Sequence, residues 1–233
     1  MRSISALAVV GSLAFSTLAW ADMPVAVVEE VSGKSMGVEF MDYVAVGQVI
    51  RLGPGERIVL GYLKSCWRET IAGGTVTVGR EQSDVQGGKI ERKLVKCDGG
   101  RMQLAGAQAV QSAGVISRNL SAHPSPANMP EPLNSQATTL EPQIMLYGRV
   151  PMVEVGGGGT LLIERIDKPD ERYEIAIASR ELVRGSFFDL ARTRRLLAPG
   201  GLYSAQFGAK QVVFKVDPAA PASAPVVARL LRF

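Results

Sequence analysis

Histidine is almost missing from this chain of 233 residues: only His123 is present, and it lies among prolines. A general base must be held by packing within hydrogen-bond reach of the proton it takes, and a proline-rich stretch is a poor place for that. The segment Gly33-Lys34-Ser35-Met36-Gly37 fits the G-x-S-x-G spacing of a nucleophile elbow. An elbow sits between a strand and a helix, whereas Val38-Glu39-Phe40 continues as a strand, so the segment reads as a hairpin turn. Cysteine is nearly as scarce. Cys66 and Cys97 have no histidine nearby, too few ligands for zinc, and a spacing unlike the C-x-x-C redox pair. No cluster has metal-ligand spacing, and the acidic residues are scattered, so no metal, cofactor or catalytic residue is expected.

Long apolar runs are also rare. The one present, Ile4 to Trp20, follows Arg2 and leads into Ala19-Trp20-Ala21 ahead of Asp22. A basic start, an apolar stretch and an A-x-A site describe a signal peptide over residues 1–21, removed on export to the periplasm. An uncleaved anchor is the alternative, since a run of about 17 residues approaches the ~20 that span a bilayer. No cysteine follows the site, which leaves lipid attachment without an acceptor. Without a second such run, no stable membrane insertion is expected after cleavage. The terminal Phe233 resembles the end of an outer-membrane barrel, but a barrel needs at least ~8 strands of about ten residues.

Charge is nearly balanced. Lys and Arg number 26 against 22 Asp and Glu, for a net +4, and loss of Arg2 leaves +3. So mild a charge gives no reason to expect nucleic acid as a partner. In an exported chain an even cysteine count favours a Cys66–Cys97 disulfide. Closing that 32-residue loop is worth roughly 3 to 4 kcal/mol on the chain-entropy model.

What the chain has in quantity is strand signal. Val25–Val31, Tyr43–Leu52, Ile58–Leu63, Thr75–Val78 and Ile90–Cys97 are separated by Gly53-Pro54-Gly55, Gly73-Gly74 and Gly87-Gly88. Glycine pairs suit turns, and alternating β-branched residues suit a pleated face. Residues 22–111 therefore form a first all-β domain. Val28, Val31 and Gly33, then Val46-Gly47-Gln48-Val49-Ile50, then Pro54-Gly55 into Ile58-Val59-Leu60 resemble the FecR-type domain of bacterial envelope proteins over about residues 25 to 90. The resemblance implies an envelope module of short strands. Leu63 to Thr70, with Cys66, departs from the family's "d-G-s-x-l-x-l" segment. FecR itself signals through a cytoplasmic segment and a membrane helix, for which a chain opening on a signal peptide has no place.

Residues 112–142 carry Pro124, Pro126, Pro130, Pro132 and Pro142 among Ser, Ala and Asn, a composition for an extended linker. Residues 143–233 return to strands at Ile144–Val150, Thr160–Ile166, Tyr173–Ala178, Gln211–Val216 and Val226–Phe233. Gly156 to Gly159 leads into one of these strands, not into a helix, and so makes a turn instead of a phosphate cradle. Ser186-Phe187-Phe188-Asp189 resembles a capping box for a short helix over Leu190–Leu197. Leu197, Pro199, Gly200 and Tyr203 resemble the L-x-P-G-x-x-Y corner of fibronectin-type and immunoglobulin-like sandwiches, which implies a β-sandwich with the tyrosine hydroxyl bonded to the turn.

Two surfaces stand out as partner-binding candidates: Trp67 and Arg68 beside the disulfide, and Arg192, Arg194 and Arg195 on the expected helix. Glu181 and Asp189 are the acids expected to balance the second group. The leading expectation is a non-catalytic periplasmic interaction or scaffold protein that binds an envelope protein or cell-wall polymer. A ligand-sensing accessory of an envelope transport or signalling system is the alternative, marked by a closed apolar pocket. A carbohydrate-active enzyme would need paired carboxylates in a cleft.

Overall fold

The computed structural model describes residues 23–34, 37–99, 141–168 and 170–233. The segment expected to be a signal peptide, Ser35, His123 and the expected linker up to residue 140 lie outside the described residues. Among those described, the protein is all-β, with one four-residue helix and short 3-10 turns.

The first sheet holds β1 Ala26–Ser32, β2 Tyr43–Val44, β3 Val49–Tyr62, β4 Trp67–Thr77, β5 Asp84–Gln86 and β6 Lys89–Leu94. Its order is β2-β1-β3-β4-β5, with β6 also on β4, and every pair is antiparallel. Of the glycine groups expected to separate strands, Gly87-Gly88 does so between β5 and β6, whereas Gly53-Pro54-Gly55 and Gly73-Gly74 lie inside β3 and β4. β3 runs through Gly53-Pro54-Gly55, where pairing jumps from Leu52↔Gly74 to Arg57↔Ala72, an irregularity that bends the strand. Glu56 braces the bend by accepting the Gly53 and Lys34 amides at 2.8 and 3.2 Å. At the same level β4 changes partner, from β6 over 67–72 to β5 over 75–77. Here Gly73-Gly74 and Gly87-Gly88 meet backbone to backbone. A Cβ on Gly74 would stand 2.4 Å from the Gln86 carbonyl, and one on Gly88 would stand 2.1 Å from that of Gly73. The glycines inside β3 and β4 thus bend the sheet, while Gly87-Gly88 turns the chain from β5 into β6. The curled sheet closes on Val28, Val44, Ile50, Ile58, Leu60, Ile71 and Val76.

Beyond residue 140 come β7 Ile144–Leu146, β8 Met152–Glu154, β9 Gly159–Arg165, β10 Arg172–Ile177 and β11 Phe187–Asp189. β12 Leu202–Phe207, β13 Lys210–Val216, α1 Val226–Arg229 and β14 Leu230–Arg232 complete the chain. A five-stranded sheet, β10-β9-β12-β13-β7, faces a three-stranded one, β11-β8-β14. Leu161, Ile163, Ala205 and Phe214 meet Val153, Phe188 and Leu231 in the core between them.

Three further local expectations are overturned. Val38-Glu39-Phe40 forms no strand and lies in the connection between β1 and β2. No α-helix spans Leu190–Leu197: Phe187–Asp189 pairs with β8, and Leu190–Thr193 makes one 3-10 turn that ends at Arg194 in the left-handed region (φ +56°). Two buried phenylalanines on opposite faces suit a strand between two layers better than a helix start. The expected strand Val226–Phe233 begins as a helical turn before becoming β14.

The three-stranded sheet is buried on both faces. Side chains alternate along a strand, so Met152, Phe187 and Leu230, each beside an inward residue named above, point the other way. They pack with Val27, Met41, Leu63 and Val227 in a core shared by both parts of the chain. Polar contacts fasten this seam. Glu29, at an irregularity in β1, accepts the buried Val227 amide and the Arg68 Nε–H, each at 2.7 Å. Tyr43 donates to Glu154 at 2.7 Å, Arg232 donates to the same oxygen, and Arg184 pairs with Glu39 and Asp42.

Candidate functional site

Cys66 and Cys97 are bonded, with Cα atoms 5.6 Å apart, and tie the hairpin between β3 and β4 to the chain leaving β6. Of the candidates beside this bridge, Trp67 packs against the first core, and Arg68 is engaged by Glu29 at 2.7 Å and Glu30 at 2.6 Å. Both side chains are thus occupied within the protein. Accessible groups lie one strand further out, on β6.

The register of β6 fixes which of its backbone groups are free. The Val95 amide donates to the Cys66 carbonyl at 3.0 Å, and Trp67 lies opposite Leu94. Antiparallel pairs alternate between bonded and non-bonded positions, so residues 91 and 93 face β4. Ile90, Arg92 and Leu94 turn their N–H and C=O groups outward, where no described backbone meets them. Arg92 spends its side chain on the buried Glu69 carboxylate, at 2.8 Å, and on the Ser83 carbonyl. Leu94 is 63% exposed.

From Leu94 the surface continues into a trough at the seam. Two adjoining cavities, of about 280 and 440 Å³, share Leu94, Val95, Lys96, Tyr147 and Asp217. The disulfide borders one end, and Pro221, Pro225 and Ala228 line the other. The Lys96 ammonium stands 6.0 Å from the Tyr147 ring centre. Lys89 and Lys93 flank the open edge, and Asp217 is turned to the Ala219 amide at 2.8 Å. The result is a strand edge left unpaired by the described residues and running into an apolar trough with a lysine rim.

The arginine group lies on the other part of the chain. Arg192, Arg194 and Arg195 are exposed on and just after the 3-10 turn. The acids expected to balance them are used elsewhere: Asp189 pairs with Arg229 and caps the Ala191 amide, and Glu181 accepts the Ala178 amide. The structure does not bring these arginines to the trough residues.

At the corner Leu197 is buried, Pro199 is exposed and Gly200 has φ +74°. The Tyr203 hydroxyl accepts the Ala198 amide and donates to Glu171, both at 2.8 Å. Gly201 makes room for the ring, because a Cβ there would stand 2.6 Å from it. Burial pushes the Tyr203 phenol above its ordinary range. Burial opposes ionisation of Glu171, yet bonds from Arg165, Tyr203 and Tyr173 outweigh it and hold that carboxyl below its ordinary value. This corner supports the fold and lines neither cavity of the trough.

Among the described residues no group of three or more His, Cys, Asp or Glu is placed to hold a metal. No helix of the described residues is long and apolar enough to cross a membrane. No family model, curated protein or solved structure matches the chain, so its function must be argued from its own geometry.

Leu94, Lys96 and Tyr147 were not legible as a site. The one available signal was Leu94 itself, an apolar residue directly after the charged run Glu91-Arg92-Lys93.

Proposed function

We propose that this chain is a non-catalytic binding protein of the bacterial envelope, which takes an extended segment of a partner protein onto β6 and into the adjoining trough. The observation that carries the reading is the outward-facing backbone of Ile90, Arg92 and Leu94, continuous with the trough at Lys96 and Tyr147. An exposed edge is a ready template for a further strand, with main-chain bonds giving affinity and side-chain pockets giving selectivity. Lysines on the edge discourage pairing between like copies, and Lys89, Lys93 and Lys96 favour an acidic segment.

The export signal, the disulfide and the FecR-type resemblance over residues 25 to 90 support the envelope assignment. Support for an immunoglobulin-like second unit comes from its pairings: β8 with β11, and β9-β12-β13, follow the B–E and C–F–G neighbours of that sandwich. Tyr203 stands at the start of the F-like strand, the place of the tyrosine corner.

Selection of random twelve-residue peptides on the folded chain tests the reading. The expected winners alternate apolar and acidic residues and bind at least about tenfold more weakly to Lys93→Glu/Lys96→Glu, a loss of ~1.4 kcal/mol. Failure to enrich any peptide, or winners indifferent to both lysines, would contradict it.

A further inference from the structure

A second surface, independent of the trough, follows from the arginine turn. Arg192, Arg194 and Arg195 are exposed, and no carboxylate among the described residues lies within ion-pair distance of any of them. Arg149 backs the same turn: its Nε donates to the Leu197 carbonyl at 2.9 Å, and it too has no carboxylate partner among the described residues. Three exposed arginines within four positions, backed by a fourth, thus form no ion pair among the described residues, in a protein whose charge is otherwise nearly balanced.

Leu196, 45% exposed, stands directly after the arginines. It is held there. Leu190 and Leu197 on either side are fully buried, the Arg194 amide closes on Ala191, the Thr193 hydroxyl closes on Leu190, and the Leu197 amide bonds Arg149. The Arg195 guanidinium rests 4.8 Å from the Tyr173 ring centre, over an aromatic face.

We propose that this turn seats the protein on an anionic phospholipid surface, with the arginines among the headgroups and Leu196 entering the interface. The pairing of exposed cations with a rigidly presented aliphatic side chain favours a lipid surface. The cations meet headgroup phosphates, while the leucine needs a neighbouring apolar phase that a soluble polyanion lacks. Such seating is reversible and peripheral, since one leucine and a few cations fall well short of a spanning segment.

Sedimentation of the purified full chain with phosphatidylcholine vesicles, and with vesicles in which roughly a third of the lipid is phosphatidylglycerol, tests this. The readout is the difference between the two vesicle types, because an apolar N-terminal segment would hold to both. Partitioning should favour the anionic vesicles and weaken with salt. Arg192→Glu/Arg194→Glu/Arg195→Glu should lower it by about two orders of magnitude or more, each cation being worth about a factor of five near such a surface. Leu196→Ser should weaken binding a few-fold on anionic vesicles while leaving the salt dependence in place. All four positions are exposed, and circular dichroism verifies that the variants fold. Equal binding to both vesicle types, or unchanged binding by the triple variant, overturns the proposal. So does a chain that binds soluble polyglutamate but not anionic vesicles.

Discussion

Replacing Glu29 by alanine should loosen the seam between the two parts of the chain, and its cost can be worked from the contacts. The carboxylate side chain is 2% exposed and makes two bonds of 2.7 Å, to the Val227 amide on α1 and to Arg68. Its removal leaves the buried Val227 N–H without its charged acceptor, a loss of about 1.5 to 3 kcal/mol. Arg68 is not stranded, because Glu30 still holds it at 2.6 Å. The second loss therefore falls below the 3 to 5 kcal/mol typical of a broken buried pair. We expect about 3 kcal/mol for Glu29→Ala and about half that for Glu29→Gln, which keeps a carbonyl for the Val227 amide. Urea unfolding followed by tryptophan fluorescence and far-ultraviolet circular dichroism reads it out. At a slope of about 2 kcal/mol per molar, the alanine midpoint should fall by roughly 1.5 M. Because the lost bond joins β1 to α1, the two signals should also begin to separate. Coincident transitions with a midpoint shift under about 0.25 M would refute the reasoning.

Gly74→Ala should be among the most damaging single-methyl changes. The residue has φ +84°, and the new Cβ would stand 2.4 Å from the Gln86 carbonyl. Strain of about 1 to 2 kcal/mol from the backbone alone adds to that clash, and a thermal melt should show the loss. Acid should weaken the tyrosine corner. Glu171 and Asp167 are held below their ordinary values, Glu171 against its burial by bonds from Arg165, Tyr203 and Tyr173, and Asp167 chiefly by Arg165. The stability they confer is complete above the ordinary carboxylate range and is lost as pH falls through their depressed folded values. Glu171→Gln should therefore reduce stability at neutral pH and flatten the acid limb of a stability-against-pH curve, whereas an unchanged limb would show that the corner carries no such linkage.

The all-β class was readable because glycine pairs and β-branched alternation recur along the chain, and the disulfide because the count was two. Local pattern misled where a residue answered to two partners. Gly53 to Gly55 and Gly73-Gly74 carry turn chemistry, but the neighbouring strands continue the pairing past them, so they bend strands instead of ending them. Phe187-Phe188 and Leu230-Leu231 lack alternation because their sheet lies between two cores, a fact of tertiary packing. Arg68 looked available because its partners, Glu29 and Glu30, lie 39 and 38 residues away. The trough was hidden for the same reason, since Leu94 and Tyr147 come from different parts of the chain.

The central claim, that a partner segment adds to the open edge of β6, is tested most directly by amide hydrogen exchange at single-residue resolution, with and without a selected peptide in excess. Added-strand pairing should slow exchange at Ile90, Arg92 and Leu94, whose amides face outward, and leave Glu91 and Lys93, already bonded toward β4, nearly unchanged. A peptide that binds tightly while those three amides exchange as before would show that the edge is not the site.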